Sequence, residues 1–396
     1  VKKLFLLFCA TFSFAVSSVA QHESAIDDIV KKQTQLGISL LQKSQSGKNR
    51  AISPFSIHSG LMLARLGAQG ETAKQLDGLL VSSPYSPQTL TAYASLQSQI
   101  LTKNDETLVS LANSIWVTDQ GKFTGEYTAA ATQGFKAEAR SIDFVQSERA
   151  RLTINKWVSD QTRTLIPDLI PSGMITRDTV ATLINALYFK AAWANPFRAA
   201  NTKDEKFWID PKTSVQLAMM HLTETFGYYE DKEWQGVILP YSPPLYNFLL
   251  LVPKRSLSSA EVAAQLTPEV ITAASESLSS PKVKLALPRF TVRETQNLAE
   301  SLKSLGCTLP FTTSADFSKM TSIGVAISAV QHESVVIVDE KGTEAAAATA
   351  VIMAKALALI NPEKPKEVTA DKPFAFAILH GQTKAPLFLG VVADPR

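Results

Sequence analysis

The 396-residue chain is 45% hydrophobic and 19% charged, with 17 Gly and 20 Pro scattered along it, which excludes disordered, collagenous and coiled-coil classes. Thirty-nine basic against 36 acidic side chains leave a formal +3, too small a balance to predict a nucleic-acid or anionic-membrane partner. The length suits one large domain or two ordinary ones.

Lys2 and Lys3 precede an apolar stretch from Leu4 to Val16, and Ser18-Val19-Ala20 supplies small residues where a signal peptidase reads. The expectation is a cleaved signal peptide over 1–20 and a secreted or periplasmic protein. The apolar run is short of the ~20 residues of a spanning helix, so no membrane partner is expected. Val1, read as an initiator codon decoded literally, hints at a bacterial source. Cys9 has no small residues before it, which argues against a lipidated cysteine. Cleavage would leave Cys307 alone, a buried inert thiol without a disulfide partner.

Apolar residues Ile29, Val30, Leu36, Ile38, Leu40 and Leu41 predict a helix from Asp27 to Gln42. Ser53 as cap and Pro54 at the first helical position predict another, running to Gly67 and Gly70. Leu108 to Val117 falls in this helical half, and Ser147 to Leu165 has helical spacing. Beyond Pro167 the texture changes to short apolar runs bounded by Pro, Gly or charge. They cover Val180–Phe189, Gln216–Met220, Val237–Leu239, Phe248–Val252, Val283–Phe290, Val335–Val338, Phe374–His380 and Leu387–Val392 and predict strands. Helices followed by strands imply an α+β protein, and no linker or fixed-period repeat divides it.

Catalytic signals are missing. The five histidines, His22, His58, His221, His332 and His380, show no paired-ligand spacing, so no metal is expected. No GxSxG elbow, P-loop or GxGxxG fingerprint is present, so neither an enzyme nor a cofactor is expected.

Glu344 to Ile360, EAAAATAVIMAKALALI, breaks the texture. Its composition favours a helix. Such a helix would be apolar on nearly every face, yet Asp339-Glu340-Lys341-Gly342 before it and prolines after it look like the ends of a surface loop. At period two, Thr343, Ala345, Ala347, Thr349, Val351 and Met353 form an uncharged face, with Glu344 on the other. Such a segment could instead slide between existing strands, because it carries little bulk and no charge on that face.

From about Asp27 to Arg396 the sequence resembles the serpins. The resemblance rests on Asn185-Ala-Leu-Tyr-Phe-Lys190 with Trp193 and Pro196-Phe197, on Leu239-Pro240-Tyr241, and on Leu287-Pro288-Arg289-Phe290. It continues through Ala315-Asp316-Phe317-Ser318, Val338 to Ala345, Lys372-Pro373-Phe374 and Leu387-Phe388-Leu389-Gly390. It implies one α+β domain over 21–396, with three β-sheets, eight to nine helices and an exposed reactive-centre loop at about 340–362.

It also implies a suicide-substrate inhibitor of serine proteases, a monomer that forms a covalent acyl complex and traps it by inserting the cleaved loop into the central sheet. The alternative is a non-inhibitory carrier or chaperone. By the same resemblance Glu340, Gly342, Thr343, Glu344, Ala345, Ala346, Ala347 and Ala348 form the loop's hinge. Trp193, Arg289 and Glu340 mark the top of the sheet where the loop enters. Ser53, Ser56, Asn185 and His332 form a polar cluster beneath the strands that open. Counting seventeen residues from Glu340, the family's usual hinge length, places the reactive bond at Ala356-Leu357, with Lys355 the neighbouring register. Alanine there implies an elastase-like or subtilisin-like target.

Overall fold

The computed structural model describes residues 2–43, 49–101, 107–343 and 364–396, with side chains from residue 21 onward. Its helices are α1 (Lys2–Lys43), α2 (Pro54–Gly67), α3 (Gly70–Leu80), α4 (Pro87–Ile100), α5 (Gly125–Phe135), α6 (Ser147–Gln161), α7 (Ser259–Gln265), α8 (Pro268–Ser275) and α9 (Ala299–Ser304). The strands are β1 (Arg50–Ile52), β2 (Thr107–Thr118), β3 (Glu138–Ile142), β4 (Ala181–Trp193), β5 (Lys203–Trp208), β6 (Ser214–Thr225), β7 (Gly227–Glu230) and β8 (Trp234–Ser242). They continue with β9 (Tyr246–Pro253), β10 (Lys282–Pro288), β11 (Phe290–Asn297), β12 (Ile327–Val338), β13 (Gly342–Thr343), β14 (Lys366–Thr369), β15 (Phe374–His380) and β16 (Pro386–Val392).

Three sheets result. The first runs β3-β2-β4-β12-β11, with β13 between β4 and β12 at one end. The second, β1-β16-β15-β9-β8-β7, joins the first through Ala192 opposite Ser242 and Trp193 opposite Tyr241, so that the two form one twelve-stranded hydrogen-bonded system. A separate four-stranded sheet has the order β14-β10-β6-β5.

α2 explains how the two large sheets share one core. Ser53 caps it, accepting from the Ser56 backbone N–H, and Pro54 takes the first helical position, as the sequence predicts. The helix is buried on nearly every face because it lies between the sheets. Gly60 permits this, since a Cβ there would press on Asn185 Nδ2 at 3.3 Å. The opposite face of the first sheet is covered by α6 and residues 162–180, where Trp157, Ile166, Leu169 and Ile170 pack on Trp116, Ile184, Ala186 and Val335. The first sheet therefore has a back core facing α2 and a front core facing α6.

Two predicted elements are corrected. Leu108–Val117, read within the helical half, is strand β2, buried on both faces and paired with β4 from Thr107–Ala191 to Val117–Ala181. The helix read as Ser147–Leu165 ends at Gln161, and Leu165 belongs to the connection that follows. α1 has no break where the leader was expected to end, running from Lys2 through Lys43. No described helix is long and apolar enough to cross a membrane.

Candidate functional site

The site lies along the seam between β4 and β12. These two strands run parallel and pair only over part of their length, from Ile327 opposite Ala181 to Ser334 opposite Leu187. Beyond Leu187 they diverge, and β13 is seated in the mouth of the opening. It is antiparallel to both neighbours: Thr343 faces Val338 on one side and Ala191 on the other, and Gly342 faces Ala192.

Asp339-Glu340-Lys341-Gly342 makes the turn into β13. The Asp339 carboxylate accepts from the backbone N–H of Lys341 at 2.7 Å and of Gly342 at 3.2 Å, an Asx turn that closes the reversal. Gly342 has φ +158°, and a side chain there would be driven into the Ala191 carbonyl, so only glycine lets the chain enter between the strands. Thr343 is buried, with its hydroxyl 2.6 Å from Tyr241 Oη.

The structure brings Trp193, Arg289 and Glu340 together at this mouth. Arg289 Nε donates to both Glu340 carboxylate oxygens at 2.8 Å, and its Nη2 donates to Oε1 as well. Thr202 Oγ1 donates to the same carboxylate at 2.6 Å. Burial opposes ionisation of Glu340, but the bonds from Arg289 and Thr202 outweigh it and hold the carboxyl below its ordinary range. Trp193 Nε1 donates to the Asp339 carbonyl at 2.9 Å, its backbone N–H donates to Lys341, and its ring stacks on Tyr241 with centroids 4.6 Å apart. Sequence reasoning missed Thr202, and it read Tyr241 only within the Leu239-Pro240-Tyr241 match without placing it at this site.

Lower on the seam, Ser53, Ser56, Asn185 and His332 meet on the back face. His332 is opposite Asn185 in the register, and its Nδ1 lies 2.6 Å from Asn185 Oδ1. The Ser53 backbone N–H can only donate, and it points at His332 Nε2 at 3.1 Å. Nε2 is therefore the acceptor, and the proton sits on Nδ1, donated to Asn185. Ser334 Oγ is 2.9 Å from the same Nε2, and Ser56 Oγ donates to Asn185 Oδ1 at 3.4 Å. Burial pushes His332 down to about 3, so the ring is neutral. The strand registers extend this polar row across four strands, as Asn113, Asn185, His332 and Gln296. Asn113 and Gln296 were not singled out from the sequence, because register is invisible there.

Glu344, Ala345, Ala346, Ala347, Ala348, Lys355, Ala356 and Leu357 lie outside the described residues. Among the described residues no cluster of His, Cys, Asp or Glu has the grouping of a metal site.

The model of the family described as "Serpin (serine protease inhibitor)" matches residues 20–395. The chain belongs to the serpins. Leukocyte elastase inhibitor from Bos taurus is 36% identical over 370 residues, covering 91% of this chain and 96% of that protein. Serpin48 of the insect Tenebrio molitor has a similar structure, with a TM-score of 0.81 at 27% identity over 95% of this chain and 99% of that one. The native-state structure of tengpin, a thermophilic serpin, gives 0.82 at 28% identity, with 92% and 94% covered. This serpin has the α+β fold of those relatives, with the entering turn and the polar row at the seam between β4 and β12.

Proposed function

We propose that this serpin inhibits serine proteases as a suicide substrate, completing the strand that β13 begins. The observation that carries this reading is the opening between β4 and β12 with Gly342-Thr343 in its mouth, antiparallel to both. Continuing that register one residue at a time pairs Glu344 with Lys190 and Ile337. Six residues beyond Thr343, Thr349 falls between Asn185 and His332. Each alternate residue from Thr343 would then face the α2 side, and that face carries only Thr, Ala, Val and Met. A full insertion exchanges one parallel ladder of seven register pairs for two antiparallel ladders. At about 1 kcal/mol net per added bond, the gain is on the order of 10 kcal/mol, comparable to the stability of an ordinary domain.

The chemistry belongs to the target enzyme. Its serine oxygen attacks the carbonyl carbon of Ala356, the Ala356–Leu357 bond breaks, and the Leu357 amine leaves with the proton from the serine. Insertion then carries the acyl-enzyme away from the geometry that hydrolyses it. The name of the bovine relative, a leukocyte elastase inhibitor, supports an elastase-like target, as does alanine at 356. Lys2-Lys3, the apolar run after them and Ser18-Val19-Ala20 support export with cleavage after Ala20.

Incubation with elastase, subtilisin, chymotrypsin and trypsin tests the reading. An SDS-stable complex with elastase or subtilisin is expected, with mass spectrometry placing the cut after Ala356. Cleaved serpin without complex, for every enzyme, would overturn inhibition and favour a carrier or chaperone.

A further inference from the structure

We propose that Arg293, paired with Glu333, ties residues 162–180 across the seam and so sets how fast the sheet opens; this rests on the insertion reading above. Residues 162–180 run directly into β4 and are bound to α6. Asn155 Nδ2 donates to the Ile170 carbonyl at 2.9 Å and its Oδ1 accepts from the Ile170 N–H at 2.8 Å, while Arg151 Nη1 donates to Asp168 at 2.7 Å. This strap therefore belongs to the β4 side of the seam. Arg293 on β11 and Glu333 on β12 belong to the other side.

Among the described residues, three hydrogen-bonding contacts cross the line from the strap to β11 and β12, from Arg293, from Gln331 and, at the foot of β4 where the sheet stays paired, from the Val180 N–H to Ser328 Oγ at 3.2 Å. Arg293 Nη1 donates to Glu333 Oε1, and its Nη2 donates to the Leu165 carbonyl of the strap at 2.9 Å. The Gln331 amide meets Met174 Sδ further along the strap. Glu333 is 2% exposed, and burial pushes its carboxyl up, so without the guanidinium it would be a costly charge inside the front core. Arg293 is thus fixed on one side by a buried carboxylate while its second nitrogen holds the strap on the other.

Admitting a strand moves β4 and β12 apart by about 4.8 Å, one inter-strand spacing. A 2.9 Å hydrogen bond anchored on both sides does not survive that displacement. The tie must break, or the strap must lift from α6, before the strand can pass. Arg293 is accordingly a positioning residue that acts on the opening step and has no part in protease recognition.

The test compares wild type with Arg293→Met and Arg293→Lys in full-length protein. A synthetic peptide of sequence TEAAAATAVI, that of residues 343–352, is annealed into intact protein and uptake is followed by native electrophoresis. Arg293→Met is expected to take up peptide about five to ten times faster, with Arg293→Lys between it and wild type. Arg293→Met should melt lower than wild type in both forms, since the pair with Glu333 lies on one side of the seam, but the loss should be larger in the intact protein, where the bond to Leu165 is lost as well. An ordinary surface ion pair would lower both forms alike. Unchanged uptake by Arg293→Met, or an equal loss of melting temperature in both forms, would overturn the tie. Wild type that takes up no peptide and gains no melting temperature on cleavage would instead overturn the insertion reading beneath it.

Discussion

In the proposed insertion, Thr343 is the residue on which the entry of the loop depends most directly. It is 2% exposed, held by Tyr241 and flanked by Ala191 and Val338. Thr343→Arg would force a guanidinium into the back core beside Tyr241, Ala191 and Val338, and an unpaired buried charge costs several kcal/mol. The variant is expected to be cut by the target protease at the wild-type rate but released, so that the number of inhibitor molecules consumed per enzyme rises at least tenfold. A titration giving the wild-type ratio would contradict the role assigned to this position. Gly342 is needed for a different reason, the approach of its backbone to Ala191. The turn was legible as a break in the sequence, in Asp339-Glu340-Lys341-Gly342. Trp193 was legible there by resemblance, but the contacts from Tyr241 and Thr202 were not, because they join residues 102 and 138 positions apart.

At the scale of elements, α2, β4 and β12 are joined by His332, whose neutral ring accepts from the α2 cap at Ser53 and donates to Asn185. His58 similarly joins α2 to the Leu80 carbonyl at the end of α3 and is pushed down to about 4 by burial, as is His380. Each histidine binds a proton near pH 6.5 when unfolded and only well below that when folded. The unfolded chain therefore holds more protons in between, and stability present above pH 6.5 is lost as pH falls, by up to about 1.4 kcal/mol per unit for each ring. The melting temperature of intact protein is expected to fall between pH 7 and pH 5, and His332→Gln to make that fall shallower. A melting temperature flat across this range would contradict the neutral-ring assignment. The same polar seam explains what sequence reading could see. Phe374–His380 was legible to the residue as β15, being apolar from Phe374 to Leu379 and bounded by Pro373 and Gly381. β12 was visible only from Val335 to Val338, since Gln331, His332, Glu333 and Ser334 are polar and yet buried. β2 lost its period of two because α2 covers its back and α6 its front.

For the whole molecule, the first sheet separates a front core under α6 from a back core around α2, and both must yield when a strand is added at the seam. On the proposed insertion, their resistance holds the native state by kinetics, with free energy available once the loop is cut. Buried Cys307, whose thiol is pushed up to about 12, adds no covalent constraint to that balance. The most direct measurement is a crystal structure of the protein after protease cleavage of its loop. It is expected to show residues 343–352 as a strand between β4 and β12, with Thr349 between Asn185 and His332 and Glu344 opposite Lys190. His332 still bonded to Asn185 across an unopened seam, with the cut loop outside the sheet, would contradict the account.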